Sequence, residues 1–184
     1  MNGSFIKYKK HSRRNAQYGG GNTNIMDSGN TTDPKVKRNI ELYYKLLNEG
    51  TNIKPEPNWT VIDQIFDKDV LVVSSDGKQI RGHEQQKQGM KQMFQLAPDV
   101  RIESVDIIFG SGDWIAVTST MVGTFTGKVT MPGSPQPLEP TGRPFRMDSC
   151  LLIKWLNDKV VEFRSYWNQK EFEKQIGIDK CIFV

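Results

Sequence analysis

The sequence predicts an α+β fold, with helices lying on one face of a bent antiparallel sheet. Two observations carry this expectation. Apolar residues recur at helical spacing in three segments before Pro98, and four long β-rich runs follow it. Short turn sequences then join those runs two by two, so neighbours in the chain pair antiparallel.

Residues 1–33 hold few aliphatics and much Asn, Gly, Ser and Lys, with Gly19, Gly20 and Gly21 in a row. Such a segment cannot offset the entropy of ordering and is expected to be a disordered basic tail. It lacks the apolar face of an organelle-targeting peptide. The folded domain is expected over 34–178, with a short tail at 179–184.

The first helix opens at Thr32, Asp33 and Pro34, a capping residue followed by Pro at the first helical position. Val36, Ile40, Tyr43, Tyr44, Leu46 and Leu47 form its apolar side, and Gly50 stops it. After a loop with Pro55 and Pro57, residues 59–66 read as a second, short helix with Val61, Ile62, Ile65 and Phe66 on one side. A strand is expected at 70–74, turning at Asp76 and Gly77. Residues 84–96 are helix formers, with Met90, Met93, Phe94 and Ala97 at helical spacing before Pro98. The four β-rich runs are 101–109, 114–126, 146–156 and 160–167, separated by turns at 110–113 and 157–159 and by a Pro- and Gly-rich stretch at 127–141. A last short helix is expected at 171–176.

The 184 residues carry 25 Lys and Arg against 21 Asp and Glu. Residues 1–30 contain five of those bases and one acid, which accounts for the whole excess. A neutral domain has no phosphate-neutralising stripe, and no aromatics are interleaved with Arg and Lys, so a nucleic-acid partner is not expected. Two cysteines, Cys150 and Cys181, are too few for a disulfide framework or a zinc site, and a reducing compartment fits best. No apolar run reaches membrane-spanning length and no secretory segment opens the chain, so a cytoplasmic protein without a membrane partner is expected. Cys181-Ile182-Phe183-Val184 matches the prenylation pattern only formally, since Phe is a poor aliphatic and Val an unusual terminus.

From about residue 35 to 178 the chain resembles the SnoaL-like polyketide cyclases of the nuclear-transport-factor-2-like superfamily. The resemblance rests on the order and spacing of several short pieces. These are Asn48-Glu49-Gly50 ending the first helix, Arg81-Gly82-His83-Glu84 leading into the third, and Ala97-Pro98-Asp99-Val100 before the first long strand. Gly123-Thr124-Phe125-Thr126-Gly127 and Thr141-Gly142-Arg143 follow, and then Val161-Glu162, Tyr166-Trp167-Asn168 and Gln175-Ile176-Gly177. The resemblance implies a cone, a strongly curved antiparallel sheet wrapped against three helices with a deep pocket between them. It also implies a small hydrophobic carbonyl compound as ligand, a homo-oligomer, and aldol ring closure without metal or cofactor.

That chemistry needs a carboxylate near the end of the last strand to move a proton, and donors for the enolate oxygen. The resemblance places Asn168 where the family has its catalytic Asp, and Phe125 where many relatives have His. An amide can donate to an oxyanion but cannot abstract a proton. Glu162, Arg164, Tyr166 and Asn168 share one strand face, which the resemblance turns toward the pocket. A three-residue loop, Asn157 to Lys159, would set Lys154 opposite Glu162, Cys150 opposite Tyr166, and Asp148 opposite Asn168, making Asp148 a candidate relocated acid. A two-residue loop would set Asp148 opposite Trp167, on the other face. The favourable Lys154 and Glu162 pairing favours the first register.

His83 is a candidate general base at the rim, although as a helix-opening residue without an orienting partner in the sequence it reads first as structural. Arg146 and Arg164 are candidates for a ligand carboxylate, and Phe66, Phe94 and Tyr166 for pocket wall. Two functions stay open: a cofactor-free cyclase or isomerase using Asp148 and Asn168, or a non-catalytic binding module that has lost the family's carboxylate.

Overall fold

The computed structural model describes residues 32–52, 56–130 and 136–178. Most of the expected basic tail, the 179–184 tail with Cys181, and parts of the 53–55 and 131–135 loops lie outside them. Helix α1 spans Pro34–Lys45, opened by the Asp33 carboxylate accepting from the Lys35 amide at 2.9 Å, with Pro34 in the first turn. It continues into a π-helical turn, Leu46–Thr51. Helix α2, Trp59–Ile65, is capped by Asn58. Strand β1, Phe66–Val73, follows without a loop, so Phe66 belongs to a strand that begins four residues before the expected one.

A short β2, Gln79–Arg81, closes a hairpin on β1 that the sequence reading did not contain; three residues are too few to show an alternation. Helix α3 spans His83–Leu96, and Gly82 before it has φ 104°, a left-handed backbone that glycine adopts without strain. Strands β3 (Arg101–Ser111), β4 (Trp114–Thr124), β5 (Pro144–Leu156) and β6 (Lys159–Trp167) follow, then α4 (Gln169–Ile176).

The six strands form one curved, unclosed sheet in the order β2-β1-β6-β5-β4-β3. All neighbours are antiparallel except β1 and β6, which run parallel. Among the described residues no helix is long and apolar enough to cross a membrane. Nor does any group of three or more His, Cys, Asp or Glu stand where it could hold a metal ion.

The β5–β6 hairpin corrects the expected turn. Its loop is two residues, Asn157 and Asp158, both at positive φ (51° and 61°), the backbone that matches the twist of the flanking strands. Leu156 therefore pairs with Lys159 rather than Val160. A bulge after Trp155–Val160 then takes up one residue, so that Lys154 still faces Glu162 and Cys150 faces Tyr166. The pairing ends at Ser149 and Trp167, one step short of Asp148 and Asn168.

Two apolar clusters hold the sheet to its helices. One gathers α1, α2 and the middle of the sheet around Tyr43, Ile62, Ile115, Ile153 and Trp155. The other joins the end of α3 to α4 around Leu96, Phe125, Phe145, Phe172 and Ile176. Phe172 is fully buried, edge-on to Phe145 at 4.9 Å and to Trp167 at 5.7 Å. The Gly-Thr-Phe-Thr-Gly string has its physical reason in this second cluster. A Cβ on Gly123 would stand 2.7 Å from the Phe145 ring, and one on Gly127 would overlap the Gln95 carbonyl oxygen. The two glycines let the backbone close on the core, and Phe125 between them fills it.

Candidate functional site

Between the two clusters lies a cavity of about 360 Å³, within the range of small-molecule pockets. Helix α1 and its π-helical turn contribute Tyr43, Leu46, Leu47 and Thr51. Helix α3 contributes Gln86, Gly89, Met90, Met93 and Phe94, and the sheet contributes Phe66, Ile102, Met121, Ser149, Leu151, Phe163, Ser165 and Trp167. Most of this wall is apolar, and among the described residues Arg101 is its one charged side chain.

Side chains alternate along a strand, and the lining residues fix which parity faces inward. On β6 they are Phe163, Ser165 and Trp167, and on β5 Ser149 and Leu151. The face expected to line the pocket is therefore the outer one. Glu162, Arg164 and Tyr166 lie on the far side of the sheet from the cavity, and so does Asp148. The reason is burial: the inward parity of β6 is the apolar one, and turning it outward would expose Phe163 and Trp167 to water.

Asp148 is exposed and accepts a hydrogen bond from the Thr120 hydroxyl at 3.0 Å. Asn168 is exposed too, and its side-chain oxygen accepts from the Glu171 amide at 3.1 Å, which caps α4. Arg164 donates to Glu162 at 2.6 Å, two residues back on its own strand. The exposed Arg146 pairs with Glu103 on β3, and Tyr166 is 39 % exposed. The structure thus does not gather Asp148, Asn168, Arg146, Arg164 and Tyr166 around the cavity. Phe66 and Phe94 do line it, Phe94 packed edge-on against Trp59 at 6.1 Å.

His83 is buried but does not line the cavity. Its ring stacks on Phe66 at 5.4 Å, and its Nε2 lies 2.7 Å from Asp63 Oδ1, the orienting carboxylate that the sequence did not reveal. The Lys87 ammonium donates to both Asp63 oxygens, at 2.7 and 2.8 Å. Lys87 holds the Asp63 carboxyl below its ordinary range; partial burial opposes this and His83 adds to it. The stabilisation from this lowered carboxyl is complete above the ordinary carboxylate range and is lost as pH falls through its depressed value. The cluster ties α2 to the start of α3.

Several polar lining residues escaped the sequence reading, among them Tyr43, Gln86, Ser149 and Ser165. Tyr43 and Gln86 sit inside helical patterns where they read as core and surface. Ser149 and Ser165 carried a usable signal, small polar residues alternating with Leu151, Phe163 and Trp167 on one apolar parity. Where bulky residues are interrupted by small ones on an inward face, the sheet leaves a hollow. The Ser149 hydroxyl is held 3.0 Å from that of Ser119. Burial, followed by the neighbouring Tyr44, pushes the Tyr43 phenol pKa up, so that its hydroxyl remains a neutral donor.

The family model for SnoaL-like polyketide cyclase matches residues 42–176, the segment that builds this cavity. The chain belongs to the SnoaL-like polyketide cyclase family. Several solved structures share its fold. A protein from Jannaschia sp. CCS1 assigned as a SnoaL-like polyketide cyclase superposes with a TM-score of 0.70 at 18% identity, covering 83% of this chain and 100% of that one. AclR from Streptomyces galilaeus, assigned as a hydroxylase, gives 0.64 at 18% identity over 79% of this chain and 85% of its own. IdmH from Streptomyces antibioticus, assigned as a polyketide cyclase, gives 0.61 at 19% over 76% and 99%. No curated protein matches the sequence. In this SnoaL-like chain the cavity wall holds neither carboxylate nor imidazole among the described residues.

Proposed function

We propose that this SnoaL-like protein binds a small, mostly apolar molecule in the cavity without performing carboxylate-driven ring closure. The observation that carries the reading is the composition of the wall. Aldol closure needs a group that takes a proton from carbon at neutral pH. Tyrosine held neutral, serine and glutamine cannot take it, and the exposed Asp148 lies across the sheet from the cavity. Hydroxyl and amide donors on an apolar wall suit holding and orienting a ligand instead. The names of the neighbours, cyclases and a hydroxylase, support the same separation of fold from chemistry.

The test is native mass spectrometry of protein from its own host, followed by incubation of any retained molecule with the protein. A bound apolar compound that is returned unchanged, by wild type and Asp148→Asn alike, is the expected result. Conversion by wild type that Asp148→Asn abolishes would replace this reading with the cyclase one.

We propose further that the homo-oligomer implied by the family resemblance forms through the outer sheet face. There Ile107, Thr118, Cys150 and Tyr166 form a continuous row across four strands, and Ile107 and Phe109 are 50% and 45% exposed. A dimer in sedimentation equilibrium that Ile107→Asp turns into a monomer is expected; an unchanged dimer would place the contact elsewhere.

A further inference from the structure

Resting on the binding reading, we propose that Gly89 is the threshold over which a ligand enters and leaves the cavity. Of the described residues that line the cavity, only Gly89 and Arg101 are exposed; the others are buried or half-buried. Arg101 carries a long charged chain paired with Glu103 at 3.7 Å, whereas Gly89 carries no side chain at all. The barrier between cavity and solvent is therefore lightest where α3 passes Gly89.

The helix itself does not ask for this glycine. Gly89 stands in the middle of α3, where glycine lowers helical stability more than any residue except proline. Its φ is not positive, and a Cβ on it would meet nothing within 4 Å. Every other described glycine has a positive φ or would bring its Cβ to 3.3 Å or less from another atom, so each has a conformational or packing reason. Gly89 has neither, and what it borders is the cavity. Met90 and Met93, half-buried beside it in the same wall, are unbranched and flexible, so they can move aside for a passing molecule.

A threshold has a kinetic signature. It lies on the path in both directions, so obstructing it slows entry and exit alike and leaves the equilibrium in place, whereas losing a contact to the bound molecule acts mostly on dissociation. Stopped-flow mixing of the full chain with prodan, an uncharged naphthalene whose emission rises out of water, reads both rates. Gly89→Phe is expected to slow association and dissociation by about tenfold each, with Kd within about threefold. Gln88→Phe places the same ring at the exposed neighbouring position outside the wall, and both rates are expected to stay within about twofold. Circular dichroism checks that α3 is kept. Gly89→Leu, a stronger helix former, is read in the same way should Gly89→Phe fail to fold. Unchanged rates in a folded Gly89 variant, equal slowing by Gln88→Phe, or a weaker Kd carried by faster dissociation alone would overturn the assignment while cavity binding stands. If wild type does not bind prodan, the binding reading itself fails and takes the threshold with it.

Discussion

Ser165→Trp is expected to lower the affinity for 2-methylnaphthalene at least about 100-fold, a loss of roughly 2.7 kcal/mol, without lowering the melting temperature. Ser165 sits on the inward face of β6, opposite Leu151 and between Phe163 and Trp167, all three in the cavity wall. A large side chain there enters empty space instead of a packed core. Overpacking is costly because it forces neighbours off their rotamers, whereas a hollow of about 360 Å³ accepts an indole by burying it. Filling a cavity commonly adds about 0.5–2 kcal/mol of stability, so thermal unfolding is expected to stay level or rise. Retained affinity with an unchanged melting temperature would show that the molecule binds outside this cavity.

Gly127→Ala is expected to be among the most destabilising single changes in the chain, at about 3 kcal/mol, or a fall in melting temperature of about 6–12 °C. The new Cβ would overlap the carbonyl oxygen of Gln95, which is backbone and cannot turn aside. The chain must retreat, and the amides of Thr126 and Gly127, which donate to the Leu96 carbonyl at 3.2 and 3.0 Å, lose their acceptor. Those two bonds are worth about 1 kcal/mol each, and the rest comes from loosening Phe125 and Leu96 in the second cluster. Gly89→Ala is the matched control. Nothing stands within 4 Å of a Cβ on that helical glycine, and the substitution is expected to raise stability by up to about 1 kcal/mol. Equal melting temperatures for the two variants would remove the close approach at Gly127 as the reason for its glycine.

The order of the long elements was legible because each carried its own period. Pro34 and Pro98 bounded helical patterns, and four runs of β-branched and aromatic residues announced β3 to β6. The β1–β2 hairpin was only half legible. Strand β1 starts at Phe66 directly from α2, so a single apolar run serves a helix and a strand in turn, and β2 has too few residues for any period.

The candidate site was less legible than the fold. Phe66 and Phe94 were named from the sequence and stand in the cavity wall; Asp148, Asn168, Arg146, Arg164 and Tyr166 were named and stand elsewhere. Polar residues attracted the functional reading, but on a strand the polar parity is the one that faces water. Asn168 illustrates the point, since its position before α4 makes it a cap for the Glu171 amide. His83 found its carboxylate in Asp63, twenty residues earlier on another helix, a distance no local pattern spans.

What the sequence determined alone was the class and order of elements and the family resemblance, because periodicity, capping and turn chemistry act between near neighbours. What only the tertiary structure decided was which face of the sheet closes on the helices and which side chains line the cavity. Both follow from how two apolar clusters meet and where they fail to fill the space between them. That is a property of residues distant in the chain, set by the packing of Phe163 and Trp167 against the two clusters on one side of β6, with Glu162 and Arg164 on the other.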